Sequence, residues 1–336
     1  MKIAIVGGGA VGITTALQLK DEFRNSDITV HAASFDDTTS HVAAGIFRVG
    51  TSYSGPTEEL TRTWINDSWK YYDEIRKSRE SAKAGIANMS CYMFANSRPQ
   101  AVRNDWMERL FPVYRLIDET EFKIVGGEWK YGAYFETMIT RCESFLPWAR
   151  NKLQEKGVKF VEKEIQSFGE LSDSHNLIMN CTGLASRELC NDKRVVPIRG
   201  QITRIRAPWI KTAFYGELDT YIVPALDGSV ILGGSRGYDS NNKEVCSYEA
   251  AAIYDRSVKL LPSIKKAPIL GHSVGLRPHR ENNVRVEMEK MTKGNSNCTI
   301  VHNYGHGGYG VCTAPGTAKF AISLAKSAHT ASGSKL

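Results

Sequence analysis

A short apolar run that leads directly into a glycine-rich turn restricts the fold of this chain more than any other feature. Residues 2–6 (KIAIV) have the composition of a buried parallel strand, and Gly7, Gly9 and Gly12 follow in the spacing Gly-x-Gly-x-x-Gly. A helical apolar period covers residues 10–23, and residues 28–31 are typical of a second strand. The pattern predicts a parallel βαβ unit whose turn holds the phosphates of a dinucleotide.

The glycines of this turn suit phosphate binding for separate reasons. Gly7 permits the tight turn, Gly9 lets the backbone approach a pyrophosphate, and Gly12 lets the helix and the strand pack closely. The N-terminus of the helix then faces the phosphate charge. The acidic residue that usually binds the ribose is absent from residues 32–34, so Asp36 or Asp37 is the nearest substitute.

The composition favours a soluble, intracellular enzyme. The chain of 336 residues has 42% hydrophobic and 24% charged side chains, which predicts a large core divided between two lobes. No apolar stretch has the length of a membrane span, and no signal peptide precedes the first strand. The seven cysteines include no Cys-x-x-Cys pair, which argues against a disulfide framework and a zinc site. The net charge of +7 is dispersed, so it favours an acidic small substrate over nucleic acid.

The sequence ends in Ser334-Lys335-Leu336, after the small residues 331–333. At a free C-terminus this tripeptide is a peroxisomal address that an import receptor reads. We therefore expect the protein in the peroxisomal matrix, with the import receptor as a partner and with neither nucleic acid nor membrane bound.

A second kind of sheet and a second glycine-rich turn follow later in the chain. Residues 177–183 are an apolar strand with a small polar end, and residues 195–234 alternate as the strands and turns of an antiparallel sheet. Residues 302–310 (HNYGHGGYG) follow a strand, and their amides can face an electron-rich ligand. His302 and His306 have the spacing of helical metal ligands, but the glycines exclude a helix there, so we expect no metal site.

Six motifs together resemble the D-amino-acid oxidase family of FAD enzymes. They are residues 6–12 (VGGGAVG), 42–45 (VAAG), 180–183 (NCTG), 199–201 (RGQ), 275–278 (GLRP) and 302–308 (HNYGHGG). The resemblance implies an α/β fold, with a Rossmann-like FAD-binding domain on a parallel sheet and a substrate-binding domain on a mostly antiparallel sheet. It implies residues 1–47, 140–194 and 270–336 for the FAD-binding domain, and residues 48–139 and 195–269 for the substrate-binding domain.

The resemblance also implies which residues bind FAD. They are Gly7, Gly9, Ala10, Val11, Gly12, Asp36, Thr38, Thr39, Ala44, Gly45, Ile46, Cys181, Gly183, Gly307, Gly308, Tyr309, Gly310, Val311 and Cys312. Ala33 and Ser34 stand where relatives carry an acidic and a basic residue at the adenosine end.

Residues 180–187, 207–209 and 232–236 are most similar to the D-aspartate oxidase branch of the family. In that comparison Arg285 matches the arginine that binds the substrate carboxylate, Tyr221 shares this carboxylate, and the carbonyl of Gly308 accepts from the amine. Arg236 would hold the second carboxylate of aspartate. Without the resemblance, Arg277, Arg280 and Arg285 are nearly equal candidates, and we expect Arg277 to be structural. Residues 213–219 lack an arginine that other members of this branch carry there.

The implied reaction is the oxidation of D-aspartate, and of D-glutamate, by hydride transfer from the α-carbon to flavin N5. It gives a 2-oxo acid, ammonia and hydrogen peroxide, with O2 as the acceptor. The cofactor supplies this chemistry, so no catalytic acid or base is expected. One alternative is a D-amino-acid oxidase of broad or neutral preference. A distant alternative is a nicotinamide dehydrogenase or a non-catalytic nucleotide-binding protein, which would explain the first turn but not residues 302–310.

Overall fold

The computed structural model describes residues 1–293 and 296–333. The predicted import signal, Ser334-Lys335-Leu336, lies outside the described residues. The strands are β1 (Lys2–Val6), β2 (Asp27–Ala32), β3 (Ile86–Ala95), β4 (Tyr114–Leu116), β5 (Tyr131–Thr140), β6 (Lys159–Glu162), β7 (Leu177–Asn180), β8 (Val195–Arg206), β9 (Ala213–Tyr215), β10 (Tyr221–Pro224), β11 (Ser229–Gly233), β12 (Gly237–Tyr238), β13 (Ile269–Arg280), β14 (Arg285–Lys293) and β15 (Ser296–Tyr304). The helices are α1 (Ala10–Glu22), α2 (Thr39–Val42), α3 (Glu58–Lys77), α4 (Ser81–Ala84), α5 (Asp105–Leu110), α6 (Cys142–Glu155), α7 (Ser186–Leu189), α8 (Ser247–Leu260) and α9 (Gly310–Gly333).

The first sheet carries the predicted βαβ unit. Its strand order is β14-β15-β7-β1-β2-β6, and β14 alone in this sheet runs antiparallel to its neighbour. Residues 3–6 are fully buried because both faces of β1 are covered, as parallel sheets require. Ile3 and Ile5 pack with α1 on one face, and Ala4 and Val6 pack with Phe168 on the other.

The second sheet is mostly antiparallel. Its strand order is β12-β8-β11-β10-β9-β3-β5-β4, and β13 also pairs with β8. The pair of β3 and β9 is parallel, whereas the other pairings are antiparallel. Met93 and Val223 face the core that is shared with the first sheet, while Phe94 and Ile222 pack against α8 on the opposite face. The predicted α/β fold with a parallel and a mostly antiparallel sheet is confirmed.

Two boundaries differ from the sequence-based expectations. Residues 270–280 were assigned to the FAD-binding domain, but β13 pairs with β8 from Ile269 to Arg280 and so belongs to the second sheet. The other predicted domain limits stay predictions. The sequence also predicted a helix from residue 316, after the glycine-rich turn at 302–310, but α9 begins at Gly310. It starts this early because Gly307–Tyr309 already form a 3-10 turn that continues into it.

The described part of the chain has neither a candidate membrane-spanning helix nor a candidate metal site. Residues 1–293 and 296–333 contain no helix of the length and apolar character that crossing a membrane would need. The same residues contain no group of three or more His, Cys, Asp or Glu side chains placed to hold a metal ion.

Candidate active site

The turn between β1 and α1 has no space for a side chain at two of its glycines. Gly7 has a φ of +130°, and a Cβ there would lie 2.2 Å from the carbonyl oxygen of Cys181. A Cβ at Gly12 would lie 2.0 Å from the carbonyl oxygen of Gly7. Backbone atoms cannot move aside as the end of a flexible side chain can, so these two positions require glycine. The predicted reasons for Gly7 and Gly12 thus have a direct structural basis.

Hydroxyl groups from the segment after β2 stand at the N-terminus of α1. The amide of Ala10 donates to Ser40 Oγ at 3.0 Å. A Cβ at Gly9 would lie 3.2 Å from this oxygen and 3.8 Å from Thr38 Oγ1. Free amides and hydroxyls at a helix N-terminus suit a phosphate. The sequence-based prediction missed Ser40, although its place beside the predicted Thr38 and Thr39 was a usable signal.

The second glycine-rich turn meets the first one. A Cβ at Gly310 would lie 3.9 Å from Val11 Cγ2, so the start of α9 lies beside the start of α1. Gly307 has a φ of +57°, which favours glycine at that position. The carbonyl of Val311 accepts a hydrogen bond from Tyr72 Oη at 2.6 Å, which fixes the first turn of α9 against α3.

The segment at residues 44–46 lies against the first turn of α9. Cys312 Sγ is 3.2 Å from the carbonyl oxygen of Ile46. Gly45 has a φ of +77°, and a Cβ there would lie 2.1 Å from the carbonyl oxygen of Thr140. Burial raises the pKa of Cys312 to about 11, so this thiol stays protonated at neutral pH. The structure therefore brings Ile46 together with Cys312, and the FAD-binding roles of Ala44, Gly45, Ile46 and Cys312 stay predictions.

The residues predicted to bind the adenosine end of FAD are less closely grouped than those of the two glycine-rich turns. Asp36 is 78% exposed at its side chain and pairs with Arg150 at 3.1 Å. The amides of Asp36 and Asp37 both donate to Ser34 Oγ. The ribose role of Asp36 stays a prediction, because its carboxylate is engaged with Arg150 at the surface. Gly183, with a φ of +58°, lies against Pro278.

Tyr221, Gly308 and Arg277 form one cluster. The guanidinium of Arg277 lies close enough to the phenol of Tyr221 to lower its pKa against the larger raising effect of burial, and a Cβ at Gly308 would lie 3.3 Å from Arg277 Cδ. Arg277 Nη1 also donates to the carbonyls of Ser235 at 3.1 Å and of Arg199 at 3.3 Å. Among the described residues, no carboxylate forms an ion pair with Arg277. Burial raises the pKa of Tyr221 and outweighs the lowering by Arg277, so the phenol keeps its proton.

Arg285 does not join this cluster, and the prediction that placed it beside Tyr221 is corrected. Arg285 lies on β14, the edge strand of the first sheet, and its Nη1 donates to Tyr304 Oη at 2.8 Å. Its Nε donates to Glu287, and Glu289 is 3.5 Å away. These carboxylates already compensate its charge. Arg277, expected to be structural, takes the place beside Tyr221 because β13 pairs with β8 in the second sheet.

Arg236 lies near Tyr221 but has a partner. Its Nε is 2.9 Å from Asp219 Oδ1, and its side chain is 62% exposed. Both charges act on the phenol of Tyr221, Asp219 raising its pKa and Arg236 lowering it. Asp219 lies in the turn between β9 and β10, where Leu218 and Asp219 both have positive φ values. The predicted second carboxylate site therefore contains a carboxylate of the protein itself.

The family model for "DAO: FAD dependent oxidoreductase" matches residues 2–324. The chain belongs to this family. It is 30% identical to D-aspartate oxidase of Homo sapiens over 96% of this chain and 94% of that protein. It is 32% identical to D-amino acid oxidase of Dugesia ryukyuensis over 95% of this chain and 96% of that protein. The fold is similar to that of glycine oxidase from Bacillus cereus, with a TM-score of 0.78 and 17% identity over 97% of this chain and 95% of that one.

FAD is the cofactor of this family, and the site has the features that FAD requires. Gly7 and Gly12 permit the tight turn and the close packing of strand and helix that place the N-terminus of α1 for a pyrophosphate, and Thr38 and Ser40 have hydroxyls beside Gly9. The two glycine-rich turns and the small residues at 44–45 provide flat backbone surfaces for a ring system. Apart from Ser40, these features were predicted from the sequence as separate motifs.

The buried histidine of the second glycine-rich turn, His306, predicts that the stability of the folded protein depends on pH. Burial lowers the pKa of His306 to about 3, and its Nε2 lies 3.0 Å from Thr317 Oγ1. The unfolded chain binds a proton below pH ~6.5, whereas the folded chain does not, so stability is lost as the pH falls from there towards 3. Lowering the pH from 7.5 to 5.0 should therefore reduce the free energy of unfolding by about 2 kcal/mol through His306.

Urea unfolding of the holoprotein at both pH values measures this loss, with His306→Gln as the control. We expect the loss of unfolding free energy to be smaller in the variant by about 2 kcal/mol. Equal losses in both proteins would show that His306 is not buried in its neutral form.

Proposed function

We propose that this protein oxidises acidic D-amino acids, D-aspartate first and D-glutamate second, to the 2-oxo acid, ammonia and hydrogen peroxide. The relatives named D-aspartate oxidase and D-amino acid oxidase support D-amino acids as the substrate class. FAD, when bound, would supply a hydride acceptor for the α-hydrogen of the substrate and a route for the two electrons to O2. Water then hydrolyses the released imino acid to the 2-oxo acid and ammonia.

One observation carries the proposal, namely the guanidinium of Arg277 beside Tyr221 and Gly308 with no carboxylate partner among the described residues. A guanidinium binds a carboxylate through two parallel hydrogen bonds. The protonated phenol of Tyr221 can donate a third bond to the same group. We propose that the carbonyl of Gly308 accepts a hydrogen bond from the amine. The substrate would thus be held by its α-carbon substituents with the α-hydrogen pointing at the cofactor.

The chain's own residues need only orient the substrate. The histidine beside the second turn is neutral, and the thiol of Cys312 is protonated, because burial shifts the pKa of each away from the charged form. Neither group can act as a base at neutral pH without a large cost. Catalysis is therefore proposed to come from positioning, with no catalytic acid or base supplied by a side chain.

The preference for an acidic side chain requires a second cation near Tyr221. Arg236 is one such cation, and we propose that it contributes to holding the distal carboxylate. The ion pair with Asp219 offsets this charge, and it favours a second candidate function, an oxidase of broad or neutral D-amino acid preference. The two candidates differ only in the selectivity of the enzyme.

Steady-state rates of O2 consumption with D-aspartate, D-glutamate, D-alanine, D-methionine and L-aspartate decide between them. We expect kcat/KM for D-aspartate to exceed that for D-alanine by about tenfold or more, since one charge-assisted hydrogen bond is worth about 1.5–3 kcal/mol. L-aspartate should not be oxidised. A higher kcat/KM for D-alanine or D-methionine would establish the broad or neutral preference instead.

Peroxisomal import is proposed on the tripeptide Ser334-Lys335-Leu336 alone. The proposal requires Leu336 to carry the free carboxylate of the natural chain. A fluorescent protein fused ahead of residue 1 should collect in peroxisomes, and the same fusion ending at residue 333 should not. A fluorescent signal in peroxisomes from both fusions would rule out this tripeptide as the address.

A further inference from the structure

Arg48 is a second arginine without a carboxylate partner on the same side of the second sheet. It follows the segment at residues 44–46 that lies against Cys312, and it is half-buried. Its guanidinium carbon lies 4.5 Å from the centre of the Tyr215 ring, and Nη2 lies 3.8 Å from Met93 Sδ. Within the described residues, no Asp or Glu forms an ion pair with Arg48.

The ring under Arg48 belongs to the same aromatic pair as Tyr221. The Tyr215 and Tyr221 rings are 5.8 Å apart, on the neighbouring strands β9 and β10. Arg277 lies beside Tyr221 in this pair, and Arg48 lies over the ring of Tyr215. Arg48 also lies close enough to Cys312 to lower the pKa of that thiol, so it is near the first turn of α9. Two uncompensated cations therefore lie beside one tyrosine pair.

A half-buried cation with only an aromatic ring and a thioether as side-chain partners costs free energy unless an anion binds it. Of the other arginines near Tyr221, Arg236 already has an anion, Asp219, and Arg256 donates to the carbonyl of Gly234 and the hydroxyl of Thr220. A ligand with two carboxylates would compensate Arg277 and Arg48 at the same time. Residues 213–219 lack an arginine, and Arg48, from a different part of the chain, places its charge over Tyr215 of that segment.

We propose that Arg48 binds the side-chain carboxylate of an acidic D-amino acid and is the main determinant of acidic specificity. This inference rests on the proposed function and assigns its selectivity to a residue that the sequence motifs did not indicate. Arg236 has a smaller role, because its charge is exposed and already paired with Asp219. The substrate then lies along the tyrosine pair, with its α-carboxylate on Arg277.

The test compares Arg48→Gln with Arg236→Gln in the FAD-loaded enzyme. Arg48→Gln should lower kcat/KM for D-aspartate about ten- to hundredfold, as expected for one charge-assisted contact, while kcat/KM for D-alanine changes less than about twofold. Arg236→Gln, a matched loss of one positive charge, should lower kcat/KM for D-aspartate less than about fivefold. Arg48→Lys should restore part of the loss, because it keeps the charge but loses the planar fork.

A binding measurement separates specificity from turnover and from misfolding. Succinate has two carboxylates and no amine, so it can bind without being oxidised, and butyrate is the matched monocarboxylate. The change in flavin absorbance on titration should give a Kd for succinate that rises about tenfold or more in Arg48→Gln, with the Kd for butyrate unchanged. A flavin content equal to that of the wild type shows that the variant is folded.

The outcomes distinguish this inference from the proposed function. If Arg236→Gln but not Arg48→Gln selectively lowers activity on D-aspartate, the acidic preference stands and the inference about Arg48 is wrong. An equal fall on D-aspartate and D-alanine in Arg48→Gln also overturns it, because Arg48 would then act on the site as a whole. If the wild type prefers neutral substrates, the proposed function fails on its own measurement.

Discussion

Arg277→Ala should lower kcat/KM for every D-amino acid about 150- to 1000-fold, which corresponds to about 3–4 kcal/mol of lost transition-state stabilisation. The size of this effect follows from the place of Arg277 beside Tyr221 and Gly308, where it is the proposed partner of the α-carboxylate. Every amino acid substrate has that group, so acidic and neutral substrates should lose equally. Steady-state kinetics with D-aspartate and D-alanine measure the loss.

Arg285→Ala is the matched control for this prediction. Arg285 is bound to Tyr304 and to the carboxylates of Glu287 and Glu289 on the first sheet, away from Tyr221. Its removal should lower thermal stability but leave kcat/KM within about threefold of the wild type, once the variant is loaded with FAD. If Arg285→Ala abolished activity on all substrates and Arg277→Ala did not, the α-carboxylate would bind at Arg285 and not at Arg277.

Gly12→Ala should weaken FAD binding by about a hundredfold or more, equivalent to about 3 kcal/mol. Its new Cβ would lie 2.0 Å from the carbonyl oxygen of Gly7, so the backbone of the turn must move and the phosphate cradle must open. Because strand and helix packing keep the rest of the first sheet in place, the protein should fold but purify without its flavin. The ratio of flavin to protein absorbance, with the Kd from titration of FAD, measures the effect.

Gly157→Ala controls for the general cost of replacing a glycine. Gly157 has a φ of +77°, but a Cβ there would meet nothing within 4 Å. The substitution should cost about 1–2 kcal/mol of stability through backbone strain and should leave the flavin content unchanged. Comparable flavin contents in Gly12→Ala and Gly157→Ala would show that the turn after β1 does not hold the cofactor.

The sequence predicted the parts of the fold that depend on local patterns. The buried run at residues 2–6, the turn at Gly7 and the helix after it appear in the structure as β1 and α1. The residue types in these elements are determined by neighbours in the sequence or in adjacent strands. Such local requirements produce a hydrophobic period that is visible in the sequence. The division of the chain between the two sheets was harder to predict, because β13 follows α8 in the sequence yet pairs with β8.

The arginines show where sequence reasoning ended. Arg277, Arg280 and Arg285 lie close together in the chain, but their environments are set by strand pairing over long distances. Arg280 pairs with Asp192 at 2.7 Å and is buried, while Arg277 is turned to Tyr221. The strand pairing also makes room for Arg277, because β13 places Gly275 opposite Gly200, where a Cβ would lie 2.4 Å from the Arg277 guanidinium.

One spectroscopic measurement tests directly whether the FAD-loaded protein oxidises an acidic D-amino acid. Purified protein reconstituted with FAD should be yellow, and D-aspartate added without air should bleach the flavin absorbance. Admission of O2 should restore the colour with release of hydrogen peroxide. L-aspartate should leave the spectrum of the oxidised flavin in place. A flavin that D-aspartate does not bleach, or that L-aspartate bleaches equally well, would contradict the account.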